Sequence, residues 1–291
     1  MSKITLENIS YVYGAGTPFE MHALQNVSFD IRENAVTGLI GHTGSGKSTL
    51  VQLFNGLAKP SEGRVLLDGA DIWEKPKEIK KIRYRVGLVM QYPEYQLFEE
   101  TVRKDIAFGP KNMGLGDDEI AERVTEAALL VGLDTALLDH SPFELSGGEK
   151  RRVAIAGVIA MRPEVLVLDE PAAGLDPRGR DNVLKQVREY QKKSGATVII
   201  VSHSMEDMAR FCDDIVVLAH GKLVMQGSAE QVFSRSHELA DVGLSIPEIS
   251  RVCAMLRERG VPVDEGIFTV RDAERCLRCL LDTVGRKEGG E

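Results

Sequence analysis

Cysteine is scarce. Cys212, Cys253, Cys276 and Cys279 are the only four in 291 residues, which argues against a disulfide framework. Cys276 and Cys279 stand in a C-x-x-C, but no second Cys/His pair follows at zinc-site spacing. Reduced thiols near a helix's apolar face are the expectation. Positive charge is also short. A net charge of -8 argues against broad contact with nucleic acid or an anionic surface, though not against a local basic patch. Long apolar runs are missing. The longest, residues 153–161, falls far below the ~20 needed to cross a bilayer. The first residues alternate like a strand rather than a signal peptide. A soluble or peripheral protein is expected, with any membrane role supplied through another subunit. Internal repeats and sustained heptads are absent too, which removes solenoids and long coiled coils.

What remains is an ordinary globular composition, 43% hydrophobic and 27% charged, in a chain long enough for one large core or two unequal ones. Residues 4–13 and 27–31 alternate as half-buried antiparallel strands, and 35–40 is a continuous apolar run. Residues 47–54 read as a helix stopped by Gly56 and Pro60, 64–67 as a short strand, and 86–90 as a buried strand ending at Gln91. Residues 94–160 turn mostly helical, with Asp117 able to cap a helix reaching Val131 before Gly132. Strand and helix then alternate to about residue 218, which implies a parallel sheet interrupted by a helical insertion. Gly221-Lys222 reads as a hairpin turn, and Ser228 to Gln231 as a capping box. Two amphipathic helices, 247–259 and 271–284, form a small appended unit, and 285–291 reads as a disordered end.

Three glycine-punctuated segments carry the chemistry. Gly41-His42-Thr43-Gly44-Ser45-Gly46-Lys47-Ser48 follows a buried strand and opens a helix. Its glycines let backbone N–H groups converge on phosphate oxygens, and the helix start adds partial positive charge beneath them. Lys47 is expected to reach the outer phosphates, and Ser48 to bind Mg²⁺ through its hydroxyl. Val165-Leu166-Val167-Leu168-Asp169-Glu170 ends a strand in two carboxylates: Asp169 for the Mg²⁺ shell and Glu170 as general base toward water. Paired acids after a strand can also be a plain turn. Together, these two segments indicate a nucleoside triphosphatase. Leu145-Ser146-Gly147-Gly148-Glu149 offers a hydroxyl and two unobstructed N–H groups at a further helix start, a second anion site or an ordinary capped helix. Arg151 and Arg152 beyond it read as helix-surface charges.

Leu145 to Glu149 resembles the signature of ATP-binding cassette (ABC) ATPases, and the other family motifs stand in order over about residues 1–232. Gln91 matches the Q-loop, Gly174-Leu175-Asp176 the D-loop and His203 the switch histidine. Tyr13, or its neighbour Tyr11, matches the adenine-stacking aromatic. The resemblance implies catalytic roles for Glu170, His203 and Gln91, and Mg²⁺ held by Ser48, Gln91 and Asp169. ATP would be bound by Tyr13, the loop from Gly41 to Ser48, Thr49, Ser146, Gly147, Gly148 and Asp176. It implies an α/β fold: a mostly parallel sheet core with N-terminal antiparallel strands and a helical insertion at about 94–160, in a nucleotide-binding domain over 1–232. A small C-terminal helical dimerisation domain would span 233–291. Two such domains pair head to tail, so each phosphate-facing helix start serves a different nucleotide. Glu149 replaces the commoner glutamine and Ala172 a frequent threonine; neither removes a catalytic group.

Tyr11-Val12-Tyr13-Gly14, Gln91-Tyr92-Pro93-Glu94-Tyr95-Gln96-Leu97-Phe98 and Gly243-Leu244-Ser245-Ile246-Pro247-Glu248 narrow the likeness to energy-coupling factor (ECF) transporter ATPases, importers of vitamins and metal ions, and the first and third of these segments favour the second of their two ATPase subunits. This implies a peripheral subunit on the cytoplasmic side of the cell membrane. Its partners would be a second ATPase subunit (a heterodimer over a homodimer), a transmembrane coupling subunit and a substrate-binding membrane subunit, with no nucleic acid. The alternatives are a homodimeric cobalt or nickel importer ATPase, a soluble cassette ATPase acting on DNA or ribosomes, and a simple P-loop kinase, which leaves the signature and His203 unexplained. Residues 92–98 are expected to form the coupling surface, or else to seal the insertion against the core.

Overall fold

The computed structural model describes the backbone of residues 1–288 and the side chains of residues 1–281. The chain opens with two long antiparallel strands, β1 (Ser2–Tyr13) and β2 (Met21–Arg32), followed by β3 (Val36–Ile40) and α1 (Lys47–Phe54). Next come β4 (Glu62–Leu67), β5 (Ala70–Asp71), α2 (Ile79–Arg85) and β6 (Val86–Val89). The helical insertion holds the turn Pro93–Gln96, α3 (Val102–Asn112), α4 (Asp117–Leu130) and α5 (Gly147–Ile159). Alternation resumes with β7 (Val165–Asp169), α6 (Pro177–Ser194), β8 (Thr197–Val201), α7 (Met205–Phe211), β9 (Asp214–Ala219) and β10 (Lys222–Ser228). The chain closes on α8 (Ala229–Phe233), α9 (Ser236–Asp241), α10 (Glu248–Glu258) and α11 (Val270–Glu288).

The strands make two sheets. One is antiparallel, in the order β2-β1-β4-β5; the other runs β10-β9-β3-β8-β7-β6, parallel except for the β9–β10 hairpin. Strands β3 and β8 are buried throughout, as inner strands of a parallel sheet covered on both faces must be. Period-two alternation divides their side chains between two cores. Val36, Leu166, Leu168, Val198, Ile200, Ile215 and Val217 face the helices of the insertion. Leu39, Val165, Val167, Ile199, Val201, Val216 and Leu218 face the antiparallel sheet and α1. All the parallel strands therefore point their carboxyl ends one way, toward the edge where such sheets bind ligands.

Three local expectations change. Asp117 is the first residue of α4 rather than its cap: the cap position is Gly116, which has no side chain to offer, and Asp117, Asp118 and Glu119 act through the helix dipole. Helix α11 takes in the first four residues of the stretch expected to be disordered; the remaining three lie outside the described residues. The boundary expected after residue 232 falls inside continuous packing, because Phe233, Leu239 and Leu244 belong to the main core. A separate small core gathers Cys253, Val263, Ile267 and Ala273, with Ile249, Leu256 and Cys276 against it. Among the described residues, no helix is long and apolar enough to cross a membrane.

Candidate active site

Four strand ends converge on one pocket of about 460 Å³. It is lined by Gly41, His42, Thr43, Gly44, Lys47 and Ser48, by Gln91 after β6, by Asp169 and Glu170 after β7, and by His203 after β8. In sequence these groups are spread from residue 41 to residue 203; the parallel register puts them together.

The glycine loop is built by exclusion. A Cβ on Gly41 would lie 2.4 Å from both Leu218 O and Ser45 Oγ, and Gly46 holds φ 101 against Leu24. Gly46 is also the cap position of α1 and supplies no side-chain hydrogen bond, so the helix's first N–H groups stay open to an anion. Lys47 Nζ donates to Gly41 O at 2.8 Å and His42 O at 3.0 Å, folding over its own loop. Burial lowers its pKa, against the opposing pull of Glu170 and Asp169. The His42 ring is held at both nitrogens: Nε2 accepts from His220 N–H at 3.3 Å, and Nδ1 lies 2.8 Å from Thr43 O.

Asp169 is held above the usual carboxylate range by burial and by the charge of Glu170, with Lys47 opposing. Glu170 sits at φ 50, a left-handed conformation that strains a non-glycine residue, and its N–H donates to Val201 O at 3.0 Å. That kink turns the carboxylate out of the strand toward His203, whose Nδ1 lies 3.0 Å from Glu170 Oε1. Ser48, Gln91 and Asp169 bring hydroxyl, amide and carboxylate oxygens to one pocket, an all-oxygen donor set of the kind a hard cation such as Mg²⁺ prefers.

Other expected residues stand elsewhere. Ser146, Gly147 and Gly148 do not line this pocket; they open α5, with Ser146 and Gly147 exposed. Glu149 N–H donates to Ser146 Oγ at 3.4 Å and Ser146 N–H donates to Glu149 Oε2 at 2.9 Å, closing a capping box, while Ser146 Oγ donates to the same carboxylate oxygen at 2.6 Å. These bonds hold the Glu149 pKa below its ordinary value. Asp176 caps α6 through Gly179 N–H at 2.6 Å. Tyr13 is partly exposed and its hydroxyl lies 3.1 Å from Thr49 Oγ1, tying that side chain to the start of α1.

Sequence reasoning missed two features. Arg151 is no surface charge: its side chain is 3% exposed and forms a bidentate pair with Glu94. Gly243, Leu244 and Ser245 line the same pocket as Lys47 and Glu170, although the tail holds no recognised catalytic motif. The left-handed turn at Gly243 (φ 73) is the local signal, since it folds Leu244 back into the core.

A second groove, about 510 Å³, lies on the insertion. Gln96, Leu97, Phe98, Asp105 and Phe108 form one wall, and Val153, Gly157 and Met161 another. Phe98 and Phe108 meet edge to face, and both remain exposed. Leu97 is half-buried against the core, so residues 92–98 divide between sealing and surface.

The protein-family profile described as ABC transporter matches residues 24–173. The Energy-coupling factor transporter ATP-binding protein EcfA2 of Caldanaerobacter subterraneus subsp. tengcongensis is 52% identical over 281 residues, covering 96% of this chain and 98% of that protein. EcfA2 of Clostridium acetobutylicum is 50% identical, covering 97% and 99%. Among solved structures, cbiO1 of Clostridium perfringens, part of the ABC transporter complex cbiONQ, superposes with a TM-score of 0.74 at 41% identity, covering 86% of this chain and 98% of that one. The ATP-binding cassette MJ0796, a dimer in a post-hydrolysis state bound to ADP and Pi, gives 0.70 at 28% identity, covering 78% and 98%.

Proposed function

This chain belongs to the ABC transporter family as an ATP-binding, ATP-hydrolysing subunit of the energy-coupling factor type, and from that premise we propose how its residues divide the work. Such subunits act as ATPase dimers in membrane-associated complexes with transmembrane subunits. The observation that carries the assignment is the single pocket joining Lys47, Asp169, Glu170 and His203.

In the proposed reaction, the glycine-loop N–H groups and Lys47 hold the outer phosphates. Tyr13 stacks on the adenine. Ser48, Gln91 and Asp169 would hold Mg²⁺, which neutralises phosphate charge when bound. Glu170 orients and deprotonates the attacking water, and His203, 3.0 Å from its carboxylate, holds it in place and contacts the terminal phosphate. Lys47 must leave the carbonyls of Gly41 and His42 to reach phosphate, exchanging two neutral acceptors for charged ones. The exposed signature serves the partner's nucleotide, for which the Ser146 hydroxyl would turn from Glu149 toward phosphate.

The partner ATPase subunit is proposed to be a different chain, since both EcfA2 relatives carry the name of the second of two. The insertion groove lined by Gln96, Leu97 and Phe98 is proposed to receive a short helix of a transmembrane coupling subunit from the cytoplasmic side. A separate membrane subunit would read the cargo, a vitamin or metal ion. The small core beyond Leu244 is proposed to help hold the two ATPase subunits together without nucleotide.

Reconstitution of the co-expressed complex in vesicles tests this reading. ATP-driven uptake that is lost with Lys47→Ala is expected. Wild-type complex that hydrolyses ATP without moving any cargo of those two classes would overturn it.

A further inference from the structure

Arg151 lies on α5, five residues beyond Ser146, with its guanidinium almost fully enclosed. Nε and Nη2 donate to Glu94 at 3.0 and 2.7 Å, while Nη1 donates to Ala173 O at 2.6 Å and Pro171 O at 3.3 Å. Three segments far apart in sequence thus meet on one side chain. Glu94 belongs to the turn Pro93–Gln96, entered through Tyr92 at φ 54; Gln96, which ends that turn, and Leu97 and Phe98 just beyond it line the insertion groove. Pro171 and Ala173 follow Glu170, and Ala173 N–H donates back to Glu170 O at 3.1 Å. The same two stretches also approach each other directly, because a Cβ on Gly174 would lie 4.0 Å from Tyr92 Cε1.

A buried guanidinium is tolerated only when its donors are paired, and its planar fork fixes direction as well as distance. Lysine at this position could keep the charge but not the fork to Glu94 together with the two carbonyl bonds.

We infer that Arg151 is a positioning residue that makes the groove-side turn, the signature helix and the segment after Glu170 move as one body, so that what sits in the groove sets where the Glu170 carboxylate lies. The inference rests on the reading of the chain as a transport ATPase. A coupling helix pressing on Gln96 to Phe98 displaces Glu94; Arg151 carries that displacement to the Ala173 carbonyl and, through α5, to Ser146 at the partner's nucleotide. The pair therefore registers one chain's base with the signature it presents to the other site.

The test uses the complete complex in vesicles with Arg151→Lys, Arg151→Gln and Glu94→Gln, reading kcat, KM for ATP, thermal stability and cargo taken up per ATP hydrolysed. Arg151→Lys and Glu94→Gln are expected to lower kcat and uptake per ATP each by roughly 2- to 30-fold, the range of coupling-network substitutions. KM should stay within about twofold, because Arg151 touches no nucleotide group. Should Arg151→Gln fail to assemble, the two milder variants decide. Unchanged kcat and uptake per ATP in both of them would overturn the inference, as would losses that only parallel a fall in melting temperature and vanish on cooling. Wild-type complex that hydrolyses ATP without uptake contradicts the transport reading instead, and the kcat-against-KM split still judges Arg151.

Discussion

At the entry to β7, Glu164 lies between two cations: Arg85 Nε at 2.6 Å and Lys3 Nζ at 2.7 Å, with Asp68 completing the cluster. At its exit, Asp169 and Glu170 crowd one pocket while the nearest cation, Lys47, is turned onto its own loop. The same strand thus presents carboxylates to opposite fates. Arg85 and Lys3 outweigh the cost of burial and pull the Glu164 pKa down to about 2, whereas burial and like charge push Asp169 up. Charge at the amino end of the sheet is matched inside the chain and serves stability. Charge at the carboxyl end is opposed inside the chain by Lys47 alone among the causes acting on Asp169, and in the proposed function a ligand matches the rest.

Substitutions on the two ends should separate cleanly. The largest expected effect is Glu170→Gln, which keeps shape and loses the base: ATP turnover should fall by about 10²- to 10⁴-fold. MgATP binding should survive and a closed dimer accumulate on size-exclusion chromatography. Lys47→Ala comes next. Losing a charge-assisted phosphate contact should weaken nucleotide affinity by roughly 10- to 150-fold, read by titration calorimetry. Glu164→Gln is the mirror image: turnover per complex should match wild type, while the midpoint of melting falls by about 2–4 °C for a loss near 1 kcal/mol. Its pH dependence sharpens the contrast. The folded pKa of about 2 lies below the ordinary 4.5, so the stability Glu164 adds is complete above pH 4.5 and is lost as pH falls toward 2. Glu164→Gln should flatten that part of a melting-versus-pH curve, and an unchanged curve would show that the cluster contributes nothing. Smallest of all, removing residues 247–291 should loosen the nucleotide-free dimer in light scattering and shift per-chain MgATP affinity by no more than about twofold, since Leu244 and Ser245 remain.

The carboxyl-end residues stand out in the sequence because phosphate binding asks for particular residue types at fixed spacing in a strand–loop–helix context, and the fold brings them to one pocket. Lys47, Ser48, Asp169 and Glu170 fall where glycine pattern and apolar runs direct them. What could not be read is what depends on long-range packing. Nothing in Lys150-Arg151-Arg152 distinguishes the buried Arg151 from its neighbours, because its partners Glu94, Pro171 and Ala173 lie 57, 20 and 22 positions away. The Glu164 cluster was invisible for the same reason, with Lys3 contributed from 161 residues upstream. The left-handed backbone at Tyr92 and Glu170 is imposed by the fold around them, since neither residue type favours it.

The contrast between the two ends of β7 is tested most directly by melting Asp169→Asn and Glu164→Gln beside wild type, each with and without MgATP. A ligand that matches the carboxyl-end charge stabilises the folded state by mass action. Without nucleotide, Asp169→Asn should melt at or above wild type and Glu164→Gln below it. With saturating MgATP, wild type and Glu164→Gln should rise by the same amount, while Asp169→Asn gains less than about half of that rise. An Asp169→Asn protein that melts lower when empty yet keeps the full MgATP shift would contradict the account, because its charge would then serve the fold rather than the ligand.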